Sequence, residues 1–324
     1  MSFQSTVRQR VVYGDETVPG TPVTADQEIP DLKIELAADG ESNQYAASGS
    51  IINSVVAASK EWAAGSFQGA MGYTTLGWVL DSLFGANTGG VWAPSATAVL
   101  VHKTYTMIRG VVGAAFQYAG VYVNGAGLHF GRDKCEVTNG TLMGQNETPG
   151  ATFPASPTRL ALRPVTPKTV SLYTADTFAH LASAGTKLAA NSTDGTAIQV
   201  DLDWSELLGQ VWALDDALDS YAGTVEKFPQ MTYKFVVAAE VSGSDYQGPL
   251  TLAKYQTNQI VYMRIKATET IGAVTYLLTI DMAVQITKPP KSRDEDGLMV
   301  AEIECIPVID PTTSKWIEIT IVNS

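Results

Sequence analysis

The strongest signal for the fold lies in one stretch, Leu278-Thr279-Ile280-Asp281-Met282-Ala283-Val284-Gln285-Ile286. Large apolar side chains alternate with smaller or polar ones, and this period of two is typical of a strand with one face on a core. Similar alternation occurs at 299–305 and 317–322, and further strands are predicted at 105–109, 117–123, 198–204 and 260–268. The sequence therefore predicts a mainly β protein.

One short helix interrupts this pattern. Its apolar residues follow the i, i+3, i+4 spacing of a single buried face and are Leu76, Val79, Leu80, Leu83 and Phe84. Thr74 or Thr75 offers an oxygen for the N-cap, and Gly85 is suited to the left-handed conformation that ends a helix.

The order of elements repeats along the chain. In the first half, a strand at 66–71 leads to the helix and then to strands at 102–109, 117–130 and 134–143. In the second half, a strand at 231–241 leads to a short helix at 250–255 and then to strands at 260–268, 274–287 and 298–308. This agreement favours two related β domains, 31–155 and 156–324, each with a short flanking helix. Residues 1–30, rich in Thr, Pro and Gly, are predicted to form an extended arm.

The composition is that of a folded, acidic protein. Hydrophobic residues make up 45% of the 324 residues and charged residues 17%, and the formal net charge is −12. Such a surface repels nucleic acid, so a protein that grips DNA by its phosphates is not expected. No export signal and no apolar run of membrane-spanning length are recognised, so synthesis in a host cytoplasm without membrane contact is expected. Cys135 and Cys305 are interpreted as small buried hydrophobic residues.

Residues that commonly carry chemistry form no recognisable constellation. The three histidines, His102, His129 and His180, fall in separate segments without zinc-ligand spacing. The G-x-S-x-G turn of serine hydrolases is missing, and the glycines at 125–131 lie in an extended segment instead of opening a helix. The sequence therefore predicts a protein that is not an enzyme and uses neither a metal nor a cofactor.

Two carboxylate clusters each have two interpretations. Residues 215–219 match D-D-x-x-D, which holds Mg²⁺ on diphosphates in prenyl-chain enzymes, but those enzymes are all-helical and solvated aspartates explain the pattern here. Residues 294–297 are a candidate Ca²⁺ site, although a turn that joins two strands and ends in Gly297 is favoured.

Four stretches resemble the major tail tube proteins of long-tailed, non-contractile (siphovirus-type) bacteriophages. They are Glu16-Thr17-Val18-Pro19-Gly20-Thr21-Pro22 in the arm; Gly65-Ser66-Phe67-Gln68-Gly69 before the helix that ends Leu80-Asp81-Ser82-Leu83-Phe84-Gly85; the strand pair 118–130 and 134–143, closed by Gly144; and the C-terminal strand 316–322, ending at Asn323. Together they span most of the chain, and they agree loosely in type and order. The stretch 204–220 has no clear place in the family pattern.

The resemblance implies both a fold and a function. In this family a β-sandwich is flanked by a helix, and strands of each subunit join into an oligomeric β-barrel around a central channel. The chain would then be a structural virion protein with tandem tail-tube-like domains, assembling with itself into stacked rings that are hexameric, or trimeric and pseudo-hexameric. The tape measure protein and the tail terminator are implied as further partners, and phage DNA passes through during ejection without specific binding.

A channel wall of this kind needs long alternating strands from each domain. The candidates are 117–130 with 134–143, and 274–287 with 298–308, because alternate residues of a barrel strand face opposite sides. The predicted lumen-facing residues are Asn124, Glu136, Thr138, Thr279, Asp281, Gln285, Glu302 and Glu304. Their charged members are all acidic, which suits a wall that does not hold phosphates. The same residues would also fit the solvent-exposed outside of a sandwich.

Two other classes of function remain open. One is a different virion β-protein, either a head decoration protein or a tail terminator, which would stop at a single closed ring. The other is a carbohydrate-binding β-sandwich module in which exposed Trp62, Trp92 and Trp212 stack on sugars. For a tube protein, the arm at 1–29 and the loop at 87–99 are predicted to contact the next ring, because long segments poor in strand pattern are often ordered by a partner.

Overall fold

The computed structural model is mainly β, as the sequence predicts. It describes residues 9–46, 48, 52, 55–183, 185–188, 196–213, 220–227, 230–238, 252–295 and 297–323. The first half contains β1 (Arg10–Asp15), β2 (Gln27–Glu28), β3 (Leu32–Tyr45), β4 (Val55–Ala70), α1 (Leu76–Phe84), β5 (Val91–Trp92), β6 (Tyr105–Val111), β7 (Ala114–Phe130), β8 (Cys135–Gly144), β9 (Glu147–Ala151) and β10 (Thr158–Arg159). The second half contains β11 (Val170–Ala175), β12 (Thr186–Leu188), β13 (Thr196–Ser205), β14 (Leu208–Val211), β15 (Gly223–Glu226), β16 (Gln230–Ala238), α2 (Leu252–Gln256), β17 (Ile260–Ile271), β18 (Val274–Ile286), β19 (Lys291–Glu295), β20 (Leu298–Pro307) and β21 (Ile317–Asn323).

Eight strands form one continuous antiparallel sheet. Their order is β3-β4-β8-β7-β13-β16-β20-β19, and every neighbouring pair is hydrogen-bonded. The contact between β7 and β13 joins the two halves of the chain, because β7 belongs to the first half and β13 to the second. We call this the eight-stranded sheet.

The remaining large strands form two smaller groups. In the first half, β2, β1, β6, the first part of β7 and β9 are paired in that order. In the second half, β12, β11, β17, β18, β21 and β5 are paired in that order, and β18 also touches the end of β20. One hydrophobic core contains buried residues of both groups and of the eight-stranded sheet.

The helix α1 is almost entirely buried and contacts both halves of this core. Its first turn packs Trp78 against Phe67 of β4, with 5.3 Å between the ring centroids. Its last residue, Phe84, packs edge-on against Trp204 at 5.3 Å and Trp316 at 5.8 Å. The helix is therefore held by aromatic contacts to both halves.

Both ends of α1 were predicted, and the helix ends before Gly85 as expected. Gly85 has φ of +83°, which suits glycine, but its ψ of 178° differs from the predicted left-handed helical conformation. The hydroxyl of Thr75, the N-cap residue, donates instead to Oδ2 of Asp31 at 2.6 Å, and that of Thr74 donates to the carbonyl of Ala161. The predicted threonine N-cap bond is therefore wrong, because both hydroxyls tie the helix to other segments.

The same set of strand pairings occurs twice. The pairs β1·β6, β3·β4, β4·β8, β6·β7 and β7·β9 correspond in order and direction to β11·β17, β13·β16, β16·β20, β17·β18 and β18·β21. The long β7 corresponds to β18 followed by β19, which are separated by Pro289 and Pro290 because proline cannot donate to a ladder. The pair β7·β8 therefore corresponds to β19·β20. The predicted repetition of elements is present in the pairings, while the boundary at residue 155 stays a prediction.

The predicted N-terminal arm needs correction. Residues 1–8 lie outside the described residues, but Arg10–Asp15 form β1, which pairs along its whole length with β6. Val12 is fully buried, and Val11 and Tyr13 are at most 7% exposed. Three consecutive buried residues do not alternate, and this is why the local pattern did not indicate a strand.

Candidate assembly surface

One face of the eight-stranded sheet is largely polar. From β3 to β19 its polar side chains include Lys33, Glu35, Ser66, Gln68, Glu136, Thr138, His129, Asp201, Asp203, Lys234, Glu302, Glu304, Lys291 and Arg293. A small apolar cluster of Val236, Ala238 and Val300 interrupts it near β20. The opposite face carries buried side chains, among them Ile34, Phe67, Val200, Phe235 and Ile303. We call the first side the polar face.

Carboxylates on the polar face have cationic neighbours. Lys234 Nζ lies 3.1 Å from Glu302 Oε1, and a guanidinium nitrogen of Arg293 lies 3.0 Å from the other oxygen of Glu302. Lys288 Nζ lies 2.5 Å from Glu304 Oε2, and this hydrogen bond lowers the pKa of Glu304. The face is therefore less acidic than the predicted residues alone indicated.

A hydrogen bond between two side chains also crosses the contact between the halves. His129 Nδ1 on β7 lies 2.6 Å from Asp201 Oδ1 on β13, and the two residues are direct partners in the strand register. Gln199 donates to the other oxygen of Asp201 at 2.6 Å. Neither His129 nor Asp201 was among the predicted site residues, because their contact joins distant parts of the chain.

Four of the eight predicted lumen-facing residues share this face. Glu136 and Thr138 follow one another on the outer side of β8, and Glu302 and Glu304 do so on β20. Asn124 lies on β7, where its side-chain oxygen accepts a hydrogen bond at 2.9 Å from the backbone N–H of Leu208. Asn124 thus holds the segment that follows β13.

The other three predicted residues lie on β18, outside the eight-stranded sheet. Thr279 is 8% exposed and Asp281 is 5% exposed, so their predicted surface position needs correction. Arg264 binds both carboxylate oxygens of Asp281 at 2.5 Å; burial raises the pKa of Asp281, while these hydrogen bonds oppose the shift. Gln285 is half-buried and donates to the carbonyl of Asn258 at 3.1 Å.

Alternation on β18 was misleading because both faces of this strand are covered. One face packs in the main core, and on the other Phe178 and Leu181 pack against Ala283. A polar residue at an alternating position is then an internal ion-pair partner and not a surface residue.

The two outer strands of the eight-stranded sheet each have one unpaired edge among the described residues. β3 pairs only with β4, and β19 pairs only with β20. The distal part of β3, from Ala37 to Tyr45, is exposed at every residue, so the β3–β4 hairpin projects from the core. Unpaired edges of this kind are templates for another strand.

The first part of the β3 edge is covered by side chains of the same chain. Arg109 donates to the carbonyl of Ile34 at 3.1 Å and to that of Leu36 at 2.7 Å, and the hydroxyl of Tyr118 donates to Leu36 at 2.9 Å. Glu147 accepts from the N–H of Ala38 at 3.3 Å. The N–H and C=O groups of an edge residue point to the same side of a strand, so the outward residues are Ile34, Leu36 and Ala38.

The loop predicted to contact a neighbouring ring is partly anchored. Within it, β5 pairs with β21, and the indole nitrogen of Trp92 donates to Asp81 of α1 at 2.8 Å. Beyond β5, Val99 and Val101 are each 82% exposed. Val99 ends the predicted loop and Val101 lies just beyond it, so the contact at this end of the loop stays a prediction.

The tryptophans do not form an exposed platform. Trp92, predicted to be exposed, is 4% exposed, because α1 holds its indole nitrogen. Trp62 and Trp212 are half-buried and pack against each other at 5.9 Å in an edge-to-face arrangement. This placement gives little support to stacking on sugars.

The carboxylate clusters have different outcomes. In the cluster at 294–297, the N–H of Gly297 donates to Asp294 Oδ1 at 3.2 Å, and Gly297 has φ of +80°, as in a turn that joins two strands. The D-D-x-x-D stretch and Asp296 lie outside the described residues. Within the described part of the chain, no three His, Cys, Asp or Glu side chains are grouped as metal ligands would be.

No model of a known protein family and no curated protein sequence matches this chain. Among the described residues, no helix is both long and apolar enough to cross a membrane.

Proposed function

We propose that the chain is a major tail tube subunit of a long-tailed phage, located in the virion, that polymerises into stacked rings around a DNA-conducting channel. The observation that carries this proposal is the eight-stranded sheet, whose outer strands β3 and β19 each have an edge that no described residue pairs with, in a chain whose strand pairings occur twice. Two corresponding sets of strand pairings support a chain with two related domains, which the family resemblance implies.

Assembly through these edges follows from the way the two halves already meet. Within the chain, β7 of the first half binds β13 of the second. The counterparts of these strands are β19 and β3, the two strands with an edge left unpaired in the described part of the chain. A head-to-tail contact between subunits repeats the internal contact, and such contacts close into rings or continue as filaments. Three two-domain subunits then fill the six positions that the family resemblance implies.

The polar face suits the channel side of such a ring. It carries Glu136, Thr138, Glu302 and Glu304, and it includes more carboxylates than Lys and Arg residues. Acidic groups repel phosphates, so DNA moves past without being held. Ion pairs also orient two carboxylates of this face, because Glu302 lies beside Lys234 and Arg293, and Glu304 lies beside Lys288.

Electron microscopy of the purified full-length chain tests this function. Negative-stain images over a range of concentrations and salts should show tubes or stacked rings, with light scattering that rises with assembly. Tape measure and terminator proteins are the partners expected to start and stop the tube. Monomers under all conditions, with these partners added, would overturn the proposal, and single rings that never stack would favour a terminator.

A further inference from the structure

The internal repeat assigns counterparts to the residues of β3. Phe67 on β4 and Phe235 on β16 are equivalent, since both are buried at the same point of the repeated β3·β4 and β13·β16 pairs. Phe67 pairs with Ile34, and Phe235 pairs with Val200. The next residues, Glu35 and Asp201, are then counterparts, and both are acidic residues on the polar face. The following inward residues, Leu36 and Leu202, are each 1% exposed.

The counterparts on β19 follow from the same starting point. Phe67 lies opposite Gly140 of β8, and Phe235 lies opposite Ile303 of β20. From Gly140 towards the β7–β8 hairpin, the next β8 residues on the polar face are Thr138 and then Glu136. From Ile303 towards the β19–β20 hairpin, the next β20 residues on the polar face are Glu302 and then Val300. Their partners one strand further are Gly127 and His129 on β7, and Lys291 and Arg293 on β19. Arg293 is therefore the counterpart of His129, and Lys291 is the counterpart of Gly127.

We propose that β19 of one subunit pairs antiparallel with β3 of a second copy, so that Arg293 lies opposite Glu35 and Lys291 lies opposite Ala37. This register rests on the proposed self-assembly and names its contact residues. It reproduces the internal contact in which His129 lies opposite Asp201. Lys33 and Glu295 then also lie opposite each other.

The charges agree with this register, although only the strand pairings and the buried Phe67 and Phe235 determine it. In the single subunit, Lys33 Nζ lies 2.6 Å from Glu35 and Arg293 lies 2.9 Å from Glu295, each pair within one exposed strand. When β3 pairs with β19 of a second copy, each of these four residues also faces a residue of opposite charge on the other strand. A register shifted by two residues would place Glu35 opposite Glu295, and like charges directly opposite are destabilising.

The backbone groups of the two edges are complementary. The outward residues of β3 are Ile34 and Leu36, and those of β19 are Ser292 and Asp294, because Lys291 and Arg293 point their backbone groups to β20. The carbonyl of Ile34, bound by Arg109, keeps a second lone pair for an incoming N–H. The carbonyl of Leu36 accepts from Arg109 and Tyr118, and it gains a free lone pair when the Tyr118 hydroxyl donates only to Glu147, 2.7 Å away. Pro290 has no N–H and marks the end of the new ladder.

Disulfide trapping tests the register. The chain carrying Ala37→Cys and Lys291→Cys places both thiols at a non-hydrogen-bonded pair, where Cα atoms are about 4.5 Å apart, within the range that a disulfide spans. The matched control carries Ala37→Cys and Arg293→Cys, a diagonal pair about 7–8 Å apart in this register. Oxidised assemblies of the first variant should give covalent oligomers on denaturing gels, and those of the control should give almost none.

The unmodified chain, whose two cysteines are buried and free, supplies the background. Cross-links confined to the diagonal pair would overturn the register. Assemblies of normal appearance without cross-links in either variant would overturn the β3–β19 contact while the proposed function stands. Failure of the unmodified chain to assemble would overturn the proposed function, and this inference with it.

Discussion

His129 Nδ1 lies 2.6 Å from Asp201 Oδ1 across the contact between β7 and β13, which joins the two halves of the chain. Both side chains are partly exposed, so the pair stabilises the fold modestly. We expect Asp201→Ala to lower the free energy of unfolding by about 1 kcal/mol, because it removes the hydrogen bond to His129 and leaves the Gln199 amide without its acceptor. Urea unfolding at concentrations below assembly measures this, with Ser66→Ala as an exposed control on the same face. An unchanged midpoint of urea unfolding would show that the pair does not stabilise the contact between β7 and β13.

Charge reversal at the proposed contact between subunits has a specific outcome. Glu35→Lys places a cation opposite Arg293 and should raise the concentration needed for assembly several-fold, since like charges directly opposite cost about 0.2–1 kcal/mol per contact. Adding Arg293→Glu to the same chain should restore part of the loss. Light scattering at fixed salt measures both effects.

The control for this reversal is Glu41→Lys, further along the same hairpin, where Glu41 forms an exposed ion pair with Lys60 at 3.3 Å. It changes the net charge by the same amount without touching the proposed seam. Equal losses from Glu35→Lys and Glu41→Lys, with no rescue by Arg293→Glu, would contradict the pairing.

The ion pair between Asp281 and Arg264 should be among the most sensitive sites of the subunit. Its side chains are 7% and 15% exposed, and Asp281→Ala leaves the guanidinium buried without its partner. We expect a loss of about 3–5 kcal/mol in the free energy of unfolding. Removal of the exposed pair by Glu41→Ala should cost about 1 kcal/mol or less. Similar denaturation midpoints for the two variants would show that Arg264 finds another partner or water.

The period of two found β18 and β20 as strands, and the helical spacing found α1 with its bounds. The distal β3–β4 hairpin was missed because both of its faces are exposed, so no apolar alternation marks it. Leu32, Ile34 and Leu36 do alternate with Lys33 and Glu35, a signal that indicates the first part of β3. The polar face as a whole depends on the β7·β13 contact, which no local pattern contains.

The cysteines should remain unreactive in the folded chain. Burial raises the pKa of Cys135 to about 11 and that of Cys305 further above its usual range. At pH 8 both side chains are then protonated and shielded, and the thiolate is the reactive form. Ellman's reagent should label neither residue in the native protein and both after unfolding in guanidinium. Rapid labelling of the native chain would contradict their burial.

The N-terminal segment is expected to act in two parts. Deletion of residues 2–8 removes none of the described strands, so the subunit should fold, and any loss of stacking would then report on the arm. Deletion of residues 2–20 also removes β1, whose Val12 is fully buried, and should destabilise the subunit by several kcal/mol, as expected for lost core side chains. Circular dichroism with thermal unfolding separates folding from stacking, which microscopy measures. A stable fold after the longer deletion would show that β6 does not need β1.

The channel wall is now expected to be the polar face of the eight-stranded sheet, because Asp281 is buried. Glu136 and Glu304 lie on the polar face, beside Lys134 at 2.7 Å and Lys288 at 2.5 Å. With Glu136→Lys and Glu304→Lys together, a cationic wall would bind passing phosphates, so tubes should form but DNA ejection should slow. The matched control is Asp176→Lys with Glu269→Lys, which changes the charge equally outside the eight-stranded sheet. The rate of DNA ejection is measured, for particles carrying each double substitution, by the binding of a fluorescent dye to the released DNA. Equal rates for the two double variants would place the polar face on the outside of the tube.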